Sequence, residues 1–226
     1  MGDAERRDSS PADESSRRVS LSPRLRVSII GIEFEQQAHA DGFQFIAGVD
    51  EVGRGCLAGA VVAAAVILDL SKPLPVGLND SKKISAKNRI RLDAEIRANA
   101  VCFAIGRIEA DEIDRINILQ ATKKAMISAV GQLNPTADFL LIDALQLKEL
   151  NLPQKAIIHG DAISASIAAA SIIAKTYRDN LMAQLDQTYP EYGFAKHVGY
   201  GTKAHFEALK QHGACEIHRK SFRGVL

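Results

Sequence analysis

The chain has 226 residues, 46% of them apolar, with 28 basic residues against 27 acidic ones. That is enough to bury one core of ordinary domain size, and the balanced charge excludes a general basic coat, so any surface for nucleic acid must be local. The cysteines, Cys56, Cys102 and Cys215, are scattered without a CxxC pair, which argues against a zinc site and for reduced thiols in the cytoplasm.

No stretch reaches the roughly 18 continuous apolar residues of a membrane helix. The N-terminus carries no apolar signal core, so a soluble, cytoplasmic protein with no membrane partner is expected. Residues 1–26 are rich in Ser, Arg, Asp and Glu and have too little to bury to offset the entropy of ordering. They are expected to be a disordered tail on a single folded domain spanning 27–226. Within 27–41, Ile30, Phe34 and Ala38 share helical spacing and suggest a lead-in helix.

A first strand is predicted over 44–49. The β-branched run 61–68 follows after a connection short enough to imply an antiparallel neighbour. Ser85 is a plausible N-cap for a helix over 86–99. A third strand is expected over 101–108, then helices over 111–115 and 118–130. Residues 138–143 read as an apolar strand ending in an acid, and 156–159 as a further strand. A long helix over 164–187 begins with small residues suited to close packing on a sheet, and another helix runs through Lys210. Strands alternating with helices define a layered α/β domain.

The chemistry is concentrated in Ile46-Ala-Gly-Val-Asp-Glu-Val-Gly-Arg-Gly55. An apolar run ends in two carboxylates, Asp50 and Glu51, and then in Gly53, Arg54 and Gly55, where glycine lets backbone approach a ligand closely. The same residues also suit a glycine turn flanked by surface charges. Asp143 at the end of a later strand and Asp161 before the long helix supply two further acids in the same structural context, because ligands gather at strand ends in α/β sheets. Four converging carboxylates suit Mg2+ or Mn2+, and two such ions about 4 Å apart can activate water and stabilise a leaving oxygen. Lys82, Lys83, Lys175 and Arg178 offer cations to phosphates, although a helix-face pair such as Lys175–Asp179 is an equally simple use. Tyr200 between two glycines has a ring free to stack on a sugar or base. The histidines show no metal-binding spacing, and Ser171 lacks the Gly-x-Ser-x-Gly elbow of a nucleophile.

These residues make the chain resemble ribonuclease HII, the type 2 ribonuclease H family of bacteria. The resemblance runs from about Phe45 to Phe222 through Gly48-Val-Asp-Glu-Val-Gly-Arg-Gly55, Leu57-Ala-Gly59, Asp80-Ser-Lys-Lys83, Leu141-Ile-Asp143, Gly160-Asp161, Ala168-Ala-Ala-Ser-Ile-Ile-Ala-Lys175, Arg178-Asp179 and Gly199-Tyr-Gly-Thr202. It implies a ribonuclease H-like fold, a central mixed sheet of about five strands flanked by helices, with a helical C-terminal part gripping the duplex. It also implies two-metal hydrolysis of the RNA strand of RNA/DNA hybrids. DNA would be nicked 5′ of embedded ribonucleotides, leaving 3′-hydroxyl and 5′-phosphate ends.

The family's acids match Asp50, Glu51, Asp143 and Asp161. Gly53, Arg54 and Gly55 match the loop that reads the ribose 2′-hydroxyl, and Tyr200 the ring that stacks on the following deoxyribose. Arginine between the glycines separates this family from ribonuclease HIII, where threonine is usual. A monomer is the expected state, and the last residues show no clear clamp-binding peptide. Cys56 and Ala60 stand where proline is common, and Ala144 where glycine is common. The competing readings are a related nuclease of the same fold without a hydroxyl sensor, such as a junction resolvase, and a non-catalytic nucleic-acid-binding module.

Overall fold

The computed structural model describes residues 30–226; the tail expected over 1–26, and the first residues of the lead-in segment, lie outside that range. Helix α1 (Glu33–Ala40) leads into β1 (Ile46–Val52), β2 (Val61–Ile67), α2 (Ala86–Asn99), β3 (Cys102–Ile108), α3 (Ala110–Ile116) and α4 (Ile118–Gly131). After these come β4 (Phe139–Asp143), β5 (Gln154–Ile157), α5 (Ala165–Thr188), α6 (Phe194–His197) and α7 (Lys203–His212). The sheet order is β3-β2-β1-β4-β5. β1 pairs antiparallel with β2 and parallel with β4, so the sheet is mixed. Ser85 caps α2 as expected, its hydroxyl accepting from Asn88 N. Among the described residues no helix is long and apolar enough to cross a membrane.

Strands that are apolar on both faces need cover on both sides. In β2, Val61, Ala63, Ala65 and Ile67 face α4 through Ala121, Ala125, Met126 and Ala129. The alternate residues Val62, Ala64 and Val66 face α5 and α2 through Ala169, Ala170, Ile172, Ile173, Leu92 and Ile96. A separate cluster of Leu57, Met182, Tyr192, Phe194 and Leu209 joins α6 and α7 to the far half of α5.

Two contacts place α5 against the acid-bearing strand. A Cβ on Gly48 would stand 2.0 Å from the Ser166 carbonyl carbon, so the helix approaches β1 to a depth only glycine permits. The first turn of α5 is held by the buried Glu35 on α1, whose Oε1 accepts from Ser164 Oγ at 2.7 Å, Ser166 N at 2.9 Å and Ser166 Oγ at 2.6 Å. A carboxylate there also suits the positive end of the helix dipole.

Several boundaries differ from expectation. β1 runs on to Val52, so Asp50 and Glu51 lie inside the strand, because β2 stays paired with it through Val62 after β4 has ended. β5 lies at 154–157, two residues earlier than its apolar residues suggest, because Leu140 and Leu141 take Gln154 and Lys155 as partners. The short α6 has no counterpart among the predicted elements.

Candidate active site

The register that pairs Val49 with Ile142 sets Asp50 and Asp143 one residue further along adjacent strands. Asp143 Oδ1 accepts from Gly160 N at 2.8 Å, which ties the β4 end to the 3-10 turn Gly160–Ala162 carrying Asp161. Asp50 is 5% exposed and Asp161 7%. Burial first, and then the neighbouring charges of Glu51 and Asp143, push the Asp50 carboxyl well above the usual carboxylate range. Burial also raises Asp143, with Asp161 adding to it. Burial raises Glu51 although Arg54, which donates from Nη1 to Glu51 Oε1 at 3.2 Å, opposes the shift. Acids that raise one another in this way are short of positive charge.

The sequence-predicted cations divide into three groups. Lys82 reaches the cluster, with Nζ 3.7 Å from Asp161 Oδ2. Partial burial pulls its ammonium down, but the field of Asp161, Asp80, Asp50 and Asp143 outweighs this and leaves it raised. Lys83 is an exposed partner of Asp80 at 3.9 Å, and Lys175 is engaged with Asp179 at 2.6 Å. Arg178 is not available to a phosphate: it is fully buried. It donates from Nε to Ala60 O at 2.9 Å, from Nη1 to Val198 O at 2.8 Å and from Nη2 to Ala58 O at 3.1 Å. The helix-face spacing that suggests a surface cation instead points this residue into the protein, beneath the glycine loop.

Arg219, which no sequence motif singles out, is its companion. Also fully buried, it donates from Nε and Nη2 to Gly59 O at 3.0 and 2.8 Å and from Nη1 to Arg54 O at 2.9 Å. Two guanidiniums that form no salt bridge among the described residues thus anchor the loop from behind, with the Asp114 carboxylate a favourable charge for Arg219. Gly53 has φ +90, and a Cβ there would meet Arg178 Nε at 2.2 Å. Tyr200 is 41% exposed and joins the loop through a bridge to Cys56. Leu57 N donates to Gly199 O at 2.8 Å beside that bridge.

Two serines also belong to the site without having been expected there. Ser81, in the Asp80-Ser-Lys-Lys83 loop, is buried with its Oγ 2.9 Å from Ser171 Oγ. Ser171 in turn hydrogen-bonds Asp50 and opposes the rise in its pKa. Both lie within the motifs quoted above, but a serine that fails as a nucleophile gives no sequence signal of a carboxylate partner. Of the departures from the family pattern, Cys56 uses its N–H toward Gly53 O at 3.4 Å, a bond proline lacks. Ala144 sits at φ 51, the left-handed region that glycine fills without strain.

Among the described residues no three His, Cys, Asp or Glu side chains already form a closed metal cage. The four acids nevertheless fit a divalent cation in donor chemistry. They are hard oxygen ligands, and Glu51 Oε2 is buried without a hydrogen-bond partner, an arrangement a cation would relieve.

Acids grouped at strand ends of a mixed five-stranded sheet, with α5 across its face, define a nuclease of the ribonuclease H class. Solved structures carry the same architecture. Ribonuclease H2 from Pyrococcus horikoshii OT3 superposes with a TM-score of 0.68 at 25% identity, covering 80% of this chain and 95% of that one. The PCNA:RNase HII complex from Archaeoglobus fulgidus gives 0.69 at 25% identity, covering 80% and 96%. A family profile for Ribonuclease HII matches residues 47–225. Ribonuclease HII of Desulfitobacterium hafniense is 56% identical over 191 residues, covering 84% of this chain and 73% of that protein. Its counterpart in Chlamydia caviae is 55% identical over 193 residues, covering 85% and 90%. The chain belongs to the ribonuclease HII family. It is therefore a hydrolytic endonuclease with ribonuclease H activity on RNA/DNA hybrids, in a family that depends on divalent metal.

Proposed function

We propose that the chain cuts the phosphodiester on the 5′ side of ribonucleotides embedded in DNA, as well as the RNA strand of hybrids, leaving 3′-hydroxyl and 5′-phosphate ends. One juxtaposition carries the reading: a backbone loop at Gly53, Arg54 and Gly55, bridged through Cys56 to Tyr200, is continuous in chain with Asp50 and Glu51. A 2′-hydroxyl is the one feature that separates RNA from DNA at a given sugar, and here its reader follows directly on the strand that carries the acids.

Asp50, Glu51, Asp143 and Asp161 would hold two ions, Mg2+ or Mn2+. When bound, divalent ions supply electrophilic activation of the phosphodiester and of the water that attacks it. The chain's own residues do the rest. Gly53 leaves the backbone open to the sugar, and Arg54 balances Glu51. Tyr200 stacks on the deoxyribose that follows the ribonucleotide, and Lys82, with Lys83 further out, meets phosphate. Lys175, engaged by Asp179, steadies α5 instead of contacting substrate.

Incubation with Mg2+ or Mn2+ and a duplex holding one ribonucleotide, beside an all-DNA control, tests the proposal. Cutting of the first alone, 5′ of the ribonucleotide, is expected. Equal cutting of both duplexes refutes the hydroxyl sensor, and binding without cutting refutes the assignment of the acids.

A further inference from the structure

Behind Tyr200 lies a buried chain of hydrogen bonds through two histidine rings. The backbone N–H of Cys215 donates to His218 Nδ1 at 3.0 Å. His218 Nε2 lies 3.0 Å from His205 Nε2, and His205 Nδ1 lies 2.9 Å from Tyr200 O. A backbone N–H can only donate and a carbonyl can only accept. His218 Nδ1 must therefore be bare and its Nε2 protonated, while His205 carries its proton on Nδ1 and accepts at Nε2. Each ring is neutral, each ring nitrogen is used, and the direction of the chain is fixed.

The surroundings maintain that state. His205 and His218 are 0% and 1% exposed, and burial lowers the basicity of both. His197 stacks on His205 with ring centres 4.5 Å apart, and Phe194 meets His205 edge-on at 5.5 Å. His197 itself accepts from Gly199 N at 3.3 Å and donates to Tyr192 O at 2.8 Å. The backbone N–H of Gly199 and the carbonyl of Tyr200 are thus held by imidazole rings that have no place in the acid cluster. Tyr200 O has one other donor, Thr202 N at 2.8 Å, and Tyr200 pairs through its backbone with Cys56 next to the glycine loop.

We propose that His205, oriented by His218, is a positioning residue that sets the Tyr200 backbone against the 53–56 loop and so tunes preference for a ribonucleotide–deoxyribonucleotide junction. The proposal rests on the reading of Tyr200 given above. His205 touches neither the substrate nor the acids; it acts through the Tyr200 carbonyl. A side-chain amide can replace only one of its two nitrogens. The shorter amide of His205→Asn would offer its N–H near the Nδ1 position, whereas the longer amide of His205→Gln lies near Nε2.

The test measures kcat and KM on a duplex with one embedded ribonucleotide and on a uniform RNA/DNA hybrid, with thermal melts of every variant. His205→Asn is expected to keep the junction preference. His205→Gln is expected to lower kcat on the junction duplex about fivefold relative to the hybrid, the factor for one lost hydrogen bond. In a Tyr200→Ala background His205→Gln should add nothing to the loss of preference. A His205→Gln effect that falls equally on both substrates, or that persists undiminished in the Tyr200→Ala background, overturns the proposal. If Tyr200→Ala shifts the preference and His205→Gln does not, only the positioning role fails. If Tyr200→Ala leaves the preference unchanged, the reading of Tyr200 itself fails.

Discussion

Replacing Arg178 with methionine separates two roles that a cation on a helix can play. The side chain is fully buried, and its guanidinium serves Ala60 O, Val198 O and Ala58 O. Methionine fills the stem but donates nothing, so three carbonyls lose a partner at about 1 kcal/mol each. Removing a buried charge that no carboxylate balances returns a part of that. The net loss is about 2 kcal/mol, which for a chain of this size lowers Tm by about 4–8 °C. Thermal and urea denaturation measure it directly. A phosphate ligand on the surface would behave differently: stability would hold, and the slope of log K against log salt would fall by about 1. A variant that melts with the wild type and shows that reduced salt slope refutes the buried-strut argument. The strut also predicts a secondary effect, weaker discrimination between ribose and deoxyribose, since the loop it holds loses its backing.

Three further outcomes follow from the same structure. Asp50→Asn should remove cleavage yet raise Tm, because it deletes a buried charge that Glu51 and Asp143 oppose; retained cleavage, or a lowered melting point, contradicts it. His218 is held near a pKa of about 4 by burial and by His205, against an ordinary 6.5, so between those values the unfolded chain binds the extra proton. Its neutral form therefore contributes stability that is complete above pH 6.5 and is lost as pH falls toward 4, by about 3 kcal/mol. Urea midpoints across that window should slope upward with pH, and His218→Gln should flatten part of the slope. Ala144→Gly should stabilise the fold by about 1 kcal/mol by relieving a Cβ at φ 51, read as a higher urea midpoint with unchanged m-value.

Most of the fold is legible in the sequence because its signals are local. Ser85 precedes a helical pattern with the right hydroxyl for a cap, and the β-branched run 61–67 can hardly be anything but a buried strand. The grouping of the candidate acids is legible for a related reason: Asp50 and Glu51 close an apolar run late in β1, Asp143 ends β4 and Asp161 precedes α5. The strand boundaries are less so, because β1 extends to Val52 only by keeping its partner β2, a pairing no local pattern encodes. Arg178 misleads because charge on a helix normally means solvent. Its burial depends on carbonyls of Ala58 and Ala60, more than a hundred residues upstream, and of Val198, and that of Arg219 depends on Gly59 and Arg54. Glu35 is invisible in the same way: its partners, Ser164 and Ser166, lie on the far side of the sequence.

What Arg178, Arg219 and His205 share is that they serve backbone. In the hydroxyl-reading role proposed above, the accuracy of the loop would depend on what holds its peptide planes in place. Arg219 holds the carbonyls of Arg54 and Gly59, Arg178 those of Ala58 and Ala60, and His205 that of Tyr200 across the Cys56 bridge. Carbonyl acceptors solvate a buried guanidinium without neutralising it, and at Arg219 the carboxylate of Asp114 adds a favourable field. Buried arginines that donate only to carbonyls therefore stiffen the glycine loop from beneath without a salt bridge among the described residues.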